Sequence, residues 1–74
     1  MPTPRVIQAI IRQRTSVAID RREAGRLTRL AGRTAALTTA VEVHGRDRLT
    51  GQPRSVSLTI EELLTPPDHF IPPA

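Results

Sequence analysis

The sequence predicts a small α+β fold, two short helices packed on a β-hairpin, and three observations carry that prediction. Apolar residues recur at helical spacing through the first 33 positions. Two runs of strict apolar–polar alternation follow, separated by a stretch with two glycines and a proline. Finally, four prolines fall within residues 65–74, where regular structure is expected to stop.

The first helix opens at Thr3 as N-cap with Pro4 at the first helical position, where its missing N–H is not needed. Val6, Ile7, Ile10 and Ile11 fall on one face; Arg5, Arg12 and Arg14 take the wetter side, and the helix is expected to end near Arg14. The β-branched "TSVAI" reads as a short extended link. Asp20 restarts a helix, with Glu23 three positions later at capping-box spacing. Ala24, Leu27 and either Leu30 or Ala31 form its apolar stripe. Gly25 inside it costs roughly 1 kcal/mol relative to alanine, and Gly32 is a natural stop.

A strand is expected over residues 37–44, with Leu37, Thr39, Val41 and Val43 on one face and Glu42 and His44 on the other. A nine-residue loop from Gly45 to Pro53 follows. Val56, Leu58 and Ile60 then share a face opposite Ser55, Ser57 and Thr59, which completes a hairpin with one apolar side. Thr59 and Glu62 spell a second capping box and open a short helix with Leu63 and Leu64. Residues 1–64 thus form one domain, and residues 65–74 are expected to be a disordered proline-rich tail.

Composition narrows function. With 74 residues and no cysteine, the chain is at most one small domain without disulfides or thiolate metal sites. No apolar run reaches the length of a membrane span, and the N-terminus lacks a signal peptide's pattern, so a cytoplasmic setting is expected. The net charge is +4, and all eleven basic residues are arginine. Residues 1–33 hold eight arginines against Asp20 and Glu23; residues 34–74 hold three against five acids. Arg22, Arg26, Arg29 and Arg33 line one helical side at spacings of three and four, a solvated face by default and a candidate phosphate-contacting face. No aromatics interleave with them to stack bases.

Catalytic signals are missing. Neither phosphate-cradling glycine motif is present. His44 and His69 lack a third ligand, so no metal is expected. Ser16, Ser55 and Ser57 have no spaced His and Asp. Glu61 and Glu62 read as favourable charge at a helix N-terminus. Asp47 reads as a turn-former bonding its own backbone.

The spelling of the loop carries a resemblance. "VEVHGRDRLTGQPRSVSLTIEEL" resembles a segment of the MreB family, the bacterial actin-like proteins of rod-shape determination. The shared motif is Gly45, Arg46, Asp47, Thr50, Gly51 and Pro53, followed by the Thr59–Glu62 helix start. Upstream, the two helices and their link look like the family without gaps, so the resemblance covers roughly residues 5–64; the segment after Gly32 looks shorter than usual. It implies subdomain IIB, one lobe of a four-lobed actin-like ATPase, with the hairpin serving shape and filament assembly.

Two departures shape the expectation. The family offers a Glu and, three residues on, a Lys to the nucleotide's adenosine end; those positions are Gly25 and Thr28 here. Glu23 and Arg26 have the same spacing, but using them would shift the apolar stripe. The family's long exit helix is replaced by the proline-rich tail, and the phosphate-binding loops of other subdomains are missing. The expectation is a truncated, non-catalytic MreB-like fragment that binds no ATP. It is either the remnant of a disrupted gene or a small protein that docks on MreB-like filaments or self-associates through hairpin edges. The alternative is a small arginine-rich nucleic-acid-binding or regulatory module.

Overall fold

The structure is a computed structural model and describes residues 3–33 and 36–73. The order of elements is α1 (Pro4–Arg14), β1 (Val17–Ala18), α2 (Arg21–Arg33), β2 (Ala40–Asp47), β3 (Pro53–Thr59) and α3 (Ile60–Leu64). The strands form one antiparallel sheet in the order β1-β2-β3. The fold is α+β, as the patterning predicts, with one strand more than the hairpin. Thr34 and Ala35, in the segment that looked short, lie outside the described residues.

Local chemistry sets the helix ends. Thr3 accepts the Val6 N–H at 3.3 Å with Pro4 behind it, and α1 stops where the Thr15 N–H and hydroxyl both return to the Ile11 carbonyl. At α2 only half of the expected capping box forms. Asp20 Oδ1 accepts the Glu23 N–H at 2.9 Å, but the Glu23 carboxylate turns outward toward β2. At α3 both halves form between Thr59 and Glu62. α2 runs one residue past Gly32, to Arg33.

Ile7 and Ile11 of α1 cluster with Ala24, Leu27 and Ala31 of α2 and with Val41, Val43 and Leu58 of the sheet, and Ile10 is also fully buried. Ala31 rather than Leu30 completes the α2 stripe; Leu30 packs at its margin. Ile60 and Leu63 close the far end, both fully buried. Each such aliphatic side chain removed from water contributes about 1.5–3 kcal/mol. A core without aromatic residues is sufficient because helices and sheet converge on these few positions.

Two strand expectations shift. The first strand starts at Ala40, not residue 37. The Thr39 N–H bonds the Ala36 carbonyl in a turn, the Leu37 carbonyl accepts the Glu61 N–H, and Leu37 is 50 % exposed rather than on the core face. The same strand runs on to Asp47, so Gly45, Arg46 and Asp47 are strand residues and Pro53 begins β3. The connecting loop is residues 48–52, five residues instead of nine.

Gly45 explains the shift. The apolar link expected before α2 contains β1, which pairs Val17 with Asp47 and Ala18 with Arg46. A Cβ on Gly45 would collide with the Ala18 carbonyl oxygen and lie 2.7 Å from Val17 Cγ1. The glycine therefore marks a close approach of two strands, not a turn.

The tail is also different from its expectation. Arg14 Nη2 donates to the Thr65 carbonyl at 2.7 Å. A turn follows, closed by the Phe70 N–H on the Pro67 carbonyl, and the Gln13 amide grips Ile71. The segment lies along α1 rather than free of the domain, because α1 supplies donors that its prolines lack.

Candidate functional site

The hairpin motif is built around one carboxylate. Asp47 Oδ1 accepts the Leu49 and Thr50 N–H groups at 2.8 and 3.2 Å, and its Oδ2 accepts Arg54 Nη1 at 2.9 Å. Its backbone carbonyl accepts the Gly51 N–H, and its N–H donates to the Gln52 carbonyl, both at 2.8 Å. Gly51 takes φ +74, a left-handed conformation that costs an L-residue about 1–2 kcal/mol. Arg46 Nη1 donates to the Gly51 carbonyl, and Thr50 Oγ1 accepts the Gln52 N–H. Arg54 also reaches Ser16 Oγ, and Arg48 donates from its backbone to the Ser16 carbonyl. Each motif residue thus has a positional role: Gly45 for approach, Asp47 for the turn, Thr50 and Gly51 for its exit, Pro53 at the strand start. Asp47 is the turn-former its sequence position suggests, and Leu49 is left 91 % exposed at the tip of a braced turn.

A second arrangement was not readable from the sequence. Because β1 pairs only with the far end of β2, the edge of β2 near Glu42 and His44 has no strand beside it. Two α2 side chains cover it. Glu23 Oε2 accepts the His44 N–H at 2.8 Å, and Arg26 Nη2 donates to the Glu42 carbonyl at 2.8 Å. The two side chains are joined by paired bonds of 2.7 Å. Arg26 therefore belongs to the β2 edge, while Arg22, Arg29 and Arg33 stand exposed on α2. The helical face exists, but one of its four arginines is committed within the fold. Gly25 and Thr28 offer no charged group, and the Thr28 hydroxyl folds back onto the Ala24 carbonyl at 2.8 Å.

The register also places Ser55 opposite His44, with Oγ and Nδ1 2.9 Å apart and Glu42 Oε1 3.8 Å from the other ring nitrogen. Only cross-strand pairing, not linear spacing, assembles this trio. His44 and Glu42 are well exposed, so water competes for every contact, and an exposed pair of this kind contributes under about 1 kcal/mol. It reads as a polar ladder on the outer sheet face. Among the described residues no group of three or more His, Cys, Asp or Glu converges as a metal site. No described helix is long and apolar enough to cross a membrane.

The outer edge of β3 is short in usable hydrogen bonds. The Asp47–Gln52 bond sets the alternation, so Pro53, Ser55, Ser57 and Thr59 face outward. Pro53 has no N–H, and the Thr59 N–H is taken by Glu62 Oε1 at 2.9 Å. Ser55 and Ser57 alone keep an N–H to donate to an incoming strand, which blunts the edge expected to drive self-association.

Three carboxylates tie this architecture to pH. Glu23 is held below its ordinary 4.5 chiefly by the Arg26 hydrogen bonds, against the opposing effect of burial. Asp47 is held below 3.8 by the Leu49 and Thr50 N–H groups and then by Arg54. Glu62 is held below 4.5 by the Thr59 N–H and hydroxyl. Folded groups that bind protons more weakly than unfolded ones stabilise the fold above their ordinary values. That stability is lost as pH falls through them and on through the folded values. Urea unfolding midpoints are therefore expected to hold steady down to about pH 5 and to drop progressively below it. Glu23→Gln should lose part of the neutral-pH stability and flatten the acid slope; an unchanged slope would contradict the role given to Glu23.

No family model matches the chain, and no match was found among curated proteins.

Proposed function

We propose that this chain is a cytoplasmic, non-catalytic lobe of the MreB-like actin type, whose contribution is surface for filament contact rather than nucleotide turnover. The supporting observation is the hairpin: Arg46, Asp47, Thr50 and Gly51 of its motif hold a braced turn, and the product is a solvent-facing Leu49 at the tip. A braced apolar tip suits a protein contact because little conformational freedom is lost when it docks.

Co-sedimentation with polymerised MreB-family filaments tests this reading. The chain should pellet with filaments, and Leu49→Asp should lower its pelleted fraction severalfold while leaving its unfolding free energy within about 0.5 kcal/mol of wild type, since the site is exposed. A chain that stays in the supernatant over competent filaments overturns it.

The exposed Arg22, Arg29 and Arg33 favour one second reading, a module that contacts nucleic-acid phosphates. It requires duplex binding that weakens steeply with salt. Absence of retention on DNA and RNA at low salt excludes it.

A further inference from the structure

Independently of that reading, we propose that the outer edge of β3 is a self-association surface, on which two copies of this chain pair antiparallel about Val56 and join their sheets into one.

The main-chain groups left on this edge are laid out symmetrically. β3 spans Pro53–Thr59, so Val56 is its midpoint. Pro53 has no N–H. Thr59 gives its N–H to Glu62 Oε1 at 2.9 Å, and as N-cap it turns its carbonyl into α3. Ser55 and Ser57, both exposed, keep a donor and an acceptor each for a neighbour. From Pro53 to Thr59 the outward donors are therefore absent, present, present and absent, an order that reads the same from either end.

A second β3 laid antiparallel, with Val56 against Val56, places Ser55 of each copy opposite Ser57 of the other. Each such pair exchanges two hydrogen bonds, and the positions without a donor face each other at the ends. The whole strand overlaps in this register. Moving the centre to Ser55 or Ser57 shortens the overlap and leaves a serine carbonyl opposite a position with no donor. On the helix-facing side, Val56 is half-buried in one chain and meets its own copy as a non-hydrogen-bonded pair, the closer of the two kinds. Arg54 does not oppose this approach with an unbalanced charge, because Asp47 holds its guanidinium at 2.9 Å. β3 is already fixed in a sheet, so a second copy loses less conformational freedom on pairing than a free peptide does.

The other side of the sheet offers no comparable run. There the Val17 N–H bonds Thr15 Oγ1 at 3.0 Å, the Ile19 carbonyl accepts the Gln8 amide at 2.8 Å, and Glu23 and Arg26 occupy β2 beyond β1. One open edge per copy and a two-fold pairing close the assembly at a dimer. Each copy carries a net charge of +4, so screening by salt strengthens the dimer, the opposite of its effect on phosphate binding.

Sedimentation equilibrium of the full chain over a rising concentration series, at low and high salt, tests the proposal. The chain should pass from monomer to dimer and no further, with a Kd between about 1 µM and 1 mM, because a two-strand seam lies below the standard interface size. Ser57→Pro removes a donor from the seam without taking a bond from the β2–β3 ladder, at an edge position that accepts proline. It should weaken the dimer at least about tenfold, since the symmetry removes two hydrogen bonds at once. Val56→Cys, in a chain with no other cysteine, should oxidise to a disulfide between copies faster than Leu49→Cys, although Leu49 is the more exposed. Position 56 alone of the two meets itself across the seam at a separation that a disulfide spans. This comparison reads the same seam without relying on the fold of Ser57→Pro. A chain that stays monomeric up to about 1 mM, growth beyond two copies, a dimer weakened by salt or indifferent to Ser57→Pro, or oxidation no faster at position 56 than at 49 would each overturn the proposal.

Discussion

Gly45→Ala is expected to lower folding stability by about 3 kcal/mol, the upper part of the range for overpacking. The added methyl must enter space held by the Ala18 carbonyl and Val17 Cγ1, and neither is the end of a flexible side chain. Val17 is fully buried, so it has nowhere to retreat. Relief requires β1 to leave β2, which uncovers the Val17 and Ile19 side of the core. In a domain of this size the thermal midpoint should fall by roughly 12–24 °C. Gly25→Ala is the contrasting case. There the new methyl meets only the tip of Arg29, at 3.4 Å, in a helix interior where alanine is favoured over glycine by about 1 kcal/mol. Thermal unfolding of both variants beside the wild type decides the matter. Equal tolerance of the two substitutions would refute the close approach of β1 to Gly45.

Leu63→Ala should be of comparable severity, at about 2–5 kcal/mol. α3 has five residues, far below the length at which a helix persists alone, so it exists because Ile60 and Leu63 are anchored in the core. Leu63 is fully buried, and its removal leaves a cavity bounded by helix and sheet elements that cannot easily collapse. A 74-residue domain has roughly 4–11 kcal/mol in all, so this one truncation removes a large share. In urea the midpoint should fall with the slope preserved. Leu64→Ala, at a half-buried position in the same helix, should cost less. A midpoint for Leu63→Ala within error of wild type would mean that α3 is not seated as described.

The comparison of sequence with structure separates two kinds of signal. Local chemistry read well: Thr3 with Pro4 and Thr59 with Glu62 act within one turn of chain, and both caps form as spelled. Apolar spacing identified the core faces of α1, α2 and the hairpin for the same reason. What could not be read depends on partners distant in the chain. Gly45 looks like a turn residue unless Ala18 is known to lie against it. β1 is two residues long, too short to show a period. The Asp20–Glu23 spacing predicts a reciprocal cap, yet the Glu23 carboxylate finds the unpaired His44 N–H and Arg26 instead. Leu37 continues the strand's alternation on paper, but a turn at Ala36–Thr39 places it before the sheet begins. The tail's prolines signal irregular backbone correctly and say nothing of the Gln13 amide that holds it. Of the candidate site, the role of Asp47 was legible because its partners are two and three residues away; the cover on the β2 edge was not, because its two sides are 16 to 21 residues apart.

The central claim is that the Gly-Arg-Asp hairpin is held as a rigid part of a self-contained lobe by contacts outside its own ladder. Hydrogen exchange of the His44, Arg48 and Gly51 amides in the isolated chain tests it most directly. These N–H groups bond, respectively, to the Glu23 carboxylate, the Ser16 carbonyl and the Asp47 carbonyl. Protection of all three, with that of His44 lost selectively in Glu23→Ala, is the predicted result. Exchange of all three at the rate of an unstructured chain would contradict it, because the turn would then lack the bracing on which the proposed contact surface depends.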